Sequence, residues 1–343
     1  MTEDVLFEIR GAIGLVTLNR PKALNALNVP MVDAMRAKLA EWAGDDAVKA
    51  VVVTAAGDKA FCAGGDIRFL TESGKAGDGG AARFWGDEYR LNTEIKRYGK
   101  PYVALIDGIT MGGGVGISVH APYRVATEKT LFAMPETGIG LFPDVGGGYF
   151  LPRLAGRLGY YLGLTGARLK GADTYAAGVA THYTAAANLP AIIDRLAAGE
   201  AVEAVLSDIH QDPGSAPLDA LRTEIDRLFA ADTVEGVLAA LDADGGDFAK
   251  AQAAAIRTKS PTSLKLTLRQ LQEGARLDFE DNMKVEFRLG QYVLKGKDFY
   301  EGVRAVIVDK DQAPKWSPAT LAEVAEAEID SAFQPLAGGD WAP

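Results

Sequence analysis

The chain has 343 residues, 48% apolar and 24% charged, with a net charge of −10. That length supports one large domain or two of ordinary size and a sizeable core, while the acidic balance argues against a nucleic-acid partner, which needs a basic surface. One cysteine (Cys62) and three dispersed histidines (His120, His182, His210) supply neither a disulfide framework nor zinc-ligand spacing. The apolar neighbours of Cys62 suggest a buried, inert thiol.

In chain order, residues 5–9 and 13–18 read as two strands around Gly11. Met31, Ala34, Met35, Leu39 and Trp42 recur at helical spacing and predict a helix over 30–42. The β-branched run 48–55 predicts a buried strand. Residues 71–81 (TESGKAGDGGA) are polar and glycine-rich and read as a mobile loop. A helix over about 82–98 follows, then a strand at 102–106, the glycine triplet 112–114 and a helix to about His120. Residues 123–126 and 131–133 are short strands. This alternation predicts an α/β core. Beyond about residue 186 the strand signals stop. Residues 212–217 (DPGSAP) read as a linker, and Leu218, Leu221, Ile225 and Leu228 mark a helix. Ser260-Pro261 opens another, 279–294 is amphipathic, and 336–343 is expected to fray. The expected division is a core over 1–185 and a mainly helical region over 186–343.

No apolar run approaches the roughly 18 residues of a membrane span. The acidic start MTEDVLFEIRG lacks an export core and is short of the Arg and Ser of a transit peptide. The expectation is a cytoplasmic protein with no membrane partner. Gly74-Lys75 lacks the Ser or Thr of a phosphate-binding loop, no G-x-G-x-x-G opens a helix, and Ser118 lacks the second glycine of a nucleophile elbow.

Two glycine-rich turns remain, Ala63-Gly64-Gly65-Asp66 and Gly112-Gly113-Gly114, each between an apparent strand and a helix. Bare backbone N–H groups at helix starts are donors to an oxyanion, and two such turns suit acyl chemistry; flexible loops or tight packing are the alternative. Residues 132–148 (FAMPETGIGLFPDVGGG) set Glu136 and Asp144 in an apolar stretch. A desolvated carboxyl there suits acid, base or nucleophile work, whereas a solvated one is a plain loop acid.

The segments RPKALNAL (20–27), AFCAGGD (60–66), MGGG (111–114) and MPE (134–136) resemble the crotonase (enoyl-CoA hydratase/isomerase) superfamily. Residues 98–120, 132–154 and 301–316 are similar to a thioester-hydrolase subgroup within it, and 186–255 is the least diagnostic stretch, an insertion. The resemblance implies a spiral of ββα turns with helices packed at the C-terminal end. It implies an acyl-CoA substrate whose thioester carbonyl accepts from the N–H groups of Gly65 and Gly113. Glu136 would act as nucleophile or base, Asp144 as second acid, and Glu88 as a substrate contact, unless Glu88 is an exposed helix acid. Lys22 and Ala23 would meet the adenosine end, the backbone of Ala63, Asp66 and Ile67 the adenine, and Arg68 a phosphate. Hydratases of the superfamily carry an acid where this chain has Gly116. That departure implies hydrolysis rather than hydration, and the resemblance to the hydrolase subgroup implies a short branched 3-hydroxyacyl-CoA as substrate, with 3-hydroxyisobutyryl-CoA in valine breakdown foremost. An enoyl-CoA hydratase using Asp144, and an acyl-CoA-binding protein without catalysis, are the alternatives. No resident cofactor or metal is expected. The wider family forms trimers and hexamers, and the insertion could block those contacts in a homo-oligomer of this chain.

Overall fold

Strands form on the short β-branched and aromatic runs. The computed structural model describes residues 2–342. Its strands are β1 (Val5–Arg10), β2 (Ile13–Leu18), β3 (Ala50–Ala55), β4 (Ala60–Cys62), β5 (Tyr102–Ile106), β6 (Ile109–Met111), β7 (Tyr123–Ala126), β8 (Leu131–Ala133), β9 (Leu169–Lys170) and β10 (His182–Tyr183). One sheet has the order β1-β2-β3-β5-β7-β10, and a second has β4-β6-β8-β9. Pairing is parallel except for β1 with β2 and β8 with β9. Successive strands therefore alternate between sheets: β3, β5 and β7 enter the larger, and β4, β6 and β8 the smaller. Helical segments follow each pair, which makes the spiral of ββα turns that the family resemblance implied. Every residue of β5 is buried, as expected of a parallel strand covered on both faces.

The chain packs as two units interleaved in sequence. One comprises residues up to Asp66, Arg90–Ala133 and Arg168–Ala220; the other comprises Ile67–Tyr89, Met134–Ala167 and Leu221 onward. These units cross the boundary drawn from composition at 185/186. Strand character does end near that boundary, at Tyr183, but residues 134–167 pack with helices that come much later.

The first unit holds both sheets. Ile13, Leu15, Val52, Val103, Leu105 and Val125 pack against Leu189, Ile192 and Leu196 of the helix Leu189–Ala197 and against Val202, Val205 and Leu206 of Val202–Ile209. Full burial of each such side chain stabilises by about 1.5–3 kcal/mol.

The second unit is largely helical. Ser260 caps Pro261–Gly274, its hydroxyl accepting from the Ser263 N–H at 3.0 Å; Asp278 caps Phe279–Lys295 in the same way. Each cap satisfies a donor that the helix start leaves orphaned.

Three expectations are corrected. Within the stretch 71–81 read as a mobile loop, 71–76 belong to the helix Ile67–Ala76: Thr71 and Ser73 are buried, and the Ser73 hydroxyl accepts from Ala81 N–H at 2.7 Å and donates to Asp78. Polar composition hid a helix whose small hydroxyls turn inward. The helix after the glycine triplet is a single turn, Gly113–Gly116. The C-terminal end does not fray as far as it is described. Trp341 is buried, donates to the Gly86 carbonyl at 3.1 Å and stacks on Phe287, while Arg288 holds Asp340. Residue 343 lies outside the described residues. Among the described residues no helix is long and apolar enough to cross a membrane.

Candidate active site

In the first unit, residues 20–27 form a frame for the first glycine turn. Leu24 and Asn25 both have positive φ, 51° and 56°, which short polar Asn tolerates better than Leu. The buried Asn25 amide donates to the carbonyls of Ala56 (3.0 Å) and Ala60 (2.8 Å), and its oxygen accepts from Arg20 N–H. Ala63 N–H donates to Leu24 O at 3.0 Å. Leu27 bridges the turn: its N–H bonds Gly64 O and its carbonyl accepts from Asp66 N–H, both at 2.8 Å. That bridge uses the neighbours of Gly65 on either side and leaves the Gly65 N–H outside it. The Asp66 carboxylate accepts from Arg20 at 3.3 Å, so its side chain belongs to the frame. Lys22 and Ala23 lie exposed on the short helix Pro21–Ala23 of the same frame.

The second glycine turn lies beside the first. A Cβ on Gly64 would stand 4.0 Å from the Gly113 nitrogen, and one on Gly114 only 2.2 Å from the Cys62 carbonyl oxygen. Only glycine permits that approach of the turn to the end of β4. Gly113 opens the helical turn, so its N–H has no acceptor within that turn. Gly116, two residues beyond the triplet, is buried and brings no acid. Cys62 is buried, as its apolar flank suggested.

The second unit gathers the acids. Glu88 and Tyr89 come from the helix Gly80–Lys96, Glu136 from the 3-10 turn Glu136–Ile139, Asp144 from the loop before Gly147–Phe150, and Glu286 from Phe279–Lys295. Their side chains are nearly or wholly inaccessible to water, between 0% and 5% exposed. The Tyr89 hydroxyl donates to Asp144 Oδ2 at 2.9 Å. Burial pushes Asp144 up to about 7, against the pull of that hydrogen bond. Burial and then the Asp144 charge raise Glu136 and Glu88 well above the usual carboxylate range. Burial also lifts Glu286 to about 8, opposed by the Gly146 N–H. Burial is the main cause for all four, and it favours the protonated form of each. Glu136 Oε2 and Glu88 Oε1 are buried and have no hydrogen-bond partner among the described residues. An orphaned buried acceptor of this kind is costly unless a ligand or water meets it. Among the described residues no three His, Cys, Asp or Glu side chains are grouped to hold a metal ion.

The structure thus groups Glu88, Glu136 and Asp144 in one unit, and Lys22, Ala23, Ala63, Gly65, Asp66 and Gly113 in the other. Ile67 and Arg68 open the helix Ile67–Ala76, with Arg68 exposed. Glu88 is 2% exposed and is not a surface helix acid. Tyr89 and Glu286 went unread in the sequence. Glu286 carried a signal: it lies at helical spacing with Met283, Leu289 and Val293, an acid on the apolar face.

A family model described as enoyl-CoA hydratase/isomerase matches residues 13–333. The chain belongs to the enoyl-CoA hydratase/isomerase family. It is 53% identical to the mitochondrial 3-hydroxyisobutyryl-CoA hydrolase of Danio rerio, over 97% of this chain and 90% of that one. The corresponding protein of Homo sapiens is 49% identical over 98% and 90%. Among solved structures, a carnitinyl-CoA dehydratase from Mycobacterium thermoresistibile matches with a TM-score of 0.94 and 45% identity, covering 98% of both chains. An enoyl-CoA hydratase from Rhodobacter sphaeroides matches at 0.91 and 40%, covering 99% of this chain and all of the other.

Proposed function

We propose that the chain hydrolyses a short branched 3-hydroxyacyl-CoA thioester, 3-hydroxyisobutyryl-CoA to 3-hydroxyisobutyrate and free CoA, in valine catabolism. The N–H groups of Gly65 and Gly113 polarise the thioester carbonyl. Glu136 then either attacks the carbonyl carbon, expelling CoA as its thiolate and leaving a mixed anhydride that water opens, or takes a proton from the attacking water. In both routes water supplies the new carboxyl oxygen, and one of its protons ends on the departing CoA thiolate to give the thiol. Asp144 orients the water or the substrate hydroxyl and shares in proton transfer; Glu88 contacts the acyl part. Lys22 and Ala23 take the adenosine end, the backbone of Ala63, Asp66 and Ile67 the adenine, and Arg68 a phosphate, where a cation suits. CoA is part of the substrate, and the reaction needs no resident cofactor or metal.

The observation that carries this reading is Glu136, whose buried Oε2 lacks a partner beside an acid that is itself held by Tyr89. Gly116 favours hydrolysis over hydration, because adding water to an alkene calls for a second positioned acid near the triplet. The hydratase reading draws on the two solved neighbours, a carnitinyl-CoA dehydratase and an enoyl-CoA hydratase; Asp144 would then supply the second acid. Incubation with 3-hydroxyisobutyryl-CoA and, separately, crotonyl-CoA decides. Thiol release from the first with no alkene loss from the second supports the hydrolase, and the reverse transfers the assignment. The cellular location is cytoplasmic on the sequence reading and mitochondrial in the curated relatives' names; cell fractionation distinguishes the two.

A further inference from the structure

The loop that carries Asp144 is strained and is tied down from below. Val145, a β-branched residue, has a φ of 51°, and Gly146 follows at 87°. A β-branched side chain in the left-handed region is a true outlier and persists only where surrounding contacts over-determine it. Those contacts converge on Glu286, which is wholly buried and reaches no solvent. Its Oε2 accepts from Gly146 N–H at 2.7 Å. Its Oε1 accepts from Gly148 N–H (2.9 Å), Asn282 Nδ2 (2.8 Å) and Gln270 Nε2 (3.1 Å). Gln270 Nε2 also donates to the Pro143 carbonyl at 2.8 Å. The backbone is thus anchored on both sides of Asp144: at Pro143 before it, and at Gly146 and Gly148 after it. A Cβ on Gly148 would come within 2.5 Å of Asn282 Oδ1 and 2.9 Å of Gln270 Nε2, so the cage closes only around glycine.

We propose that Glu286 is a positioning residue for Asp144: by binding the Gly146 and Gly148 N–H groups it holds Val145 in its strained conformation and so fixes where the Asp144 carboxyl points. This rests on the reading of Asp144 as a reacting acid. Gln270 extends the hold to Pro143. Glutamine cannot replace Glu286, although it has nearly the same shape. The amide keeps one oxygen, so in either orientation its NH₂ faces an N–H that the carboxyl had accepted.

The test is Glu286→Gln, assayed on the thioester or enoyl substrate that the wild type turns over, together with amide hydrogen exchange of residues 144–148. The expected result is a fall in kcat of about 10- to 100-fold with KM within about threefold, since a small misplacement of a reacting group is enough for such a loss. Gly146 exchange should rise at least about tenfold as its bond is lost. Adding Val145→Gly should recover a large part of kcat, because glycine holds a positive φ without strain. A merely structural role would show no such rescue. An unchanged kcat with unchanged exchange overturns the proposal, and so does a loss of kcat that Val145→Gly leaves untouched. If Glu286→Gln does not fold, Gln270→Met removes the Pro143 anchor and one of the four donors to Glu286 while leaving the Gly146 and Gly148 bonds, and should lower kcat severalfold at constant KM; failure to do so equally overturns it. A wild type inert toward thioesters counts against the hydrolase reading alone, because the exchange measurement still reports on Glu286.

Discussion

Replacing Asp144 by Asn removes an ionisable group from a place where ionisation is disfavoured, while the amide oxygen can still accept from Tyr89. The carboxyl moves from an ordinary 3.8 to about 7 on folding, with burial as the main cause. Its ionised form is therefore worth ~4 kcal/mol less in the folded chain than in the unfolded one. Between these two values the folded chain binds the extra proton, so stability is highest at acid pH and falls as pH rises through the window. Below about pH 4 both states hold the proton and Asp144 exacts no penalty; above about pH 7 the whole penalty applies. Asn has none. The variant should therefore gain on the wild type by ~2–3 kcal/mol between pH 5 and pH 8, while turnover falls by at least ~10²-fold. Relief of Glu136 and Glu88, both raised in part by the Asp144 charge, acts in the same direction. Urea unfolding of both proteins, followed by tryptophan fluorescence at four pH values across that range, measures the gap. A gap that stays flat or narrows toward pH 8 would refute the view that the cluster is charge-frustrated.

Three further outcomes are expected. Glu136→Gln should lower thioester turnover by ~10³-fold or more while a non-hydrolysable CoA ester still binds, as titration calorimetry would register; near-normal turnover would remove Glu136 from the mechanism. A side chain at the oxyanion turn, as in Gly113→Val, should reduce kcat by ~10²-fold, in line with the ~3 kcal/mol that one such donor supplies; stopped assays at saturating substrate measure it. Trp341→Ala should destabilise by ~3 kcal/mol, because it empties a buried aromatic site and strips the Gly86 carbonyl of its donor; calorimetry would show a lower Tm, and an unchanged Tm would mean the end is not docked in solution.

The sequence was most legible where one physical demand fixes the residue type. β3 and β5 were readable as apolar runs because parallel strands bury both faces. Ser260-Pro261 announced a helix start by its chemistry, and the structure has that cap. The glycine turns and Glu136 stood out because bare backbone and a lone acid among apolar residues are both unusual. What escaped was what depends on partners distant in sequence. The helix Ile67–Ala76 looked like a loop because its inward groups are Thr71 and Ser73 rather than large apolar side chains. Trp341 looked terminal because its platform, Phe287 and Gly86, is far upstream. Glu286 looked like any helix acid until its four donors were assembled around it.

The cage beneath Asp144 also sets a schedule for the nascent chain. Gly146 and Glu286 are separated by 140 residues. At ~5–20 residues per second, the ribosome delivers the second on the order of 10 s after the first. Throughout that interval Val145 has no reason to remain left-handed, and Glu88, Glu136 and Asp144 are free to stay hydrated and ionised. The acid cluster can close only after Gln270, Asn282 and Glu286 have emerged, when at least some of its carboxyls must take up protons. Assembly of this part of the molecule is therefore a late, proton-consuming event, and refolding should release base to a weakly buffered medium as it completes.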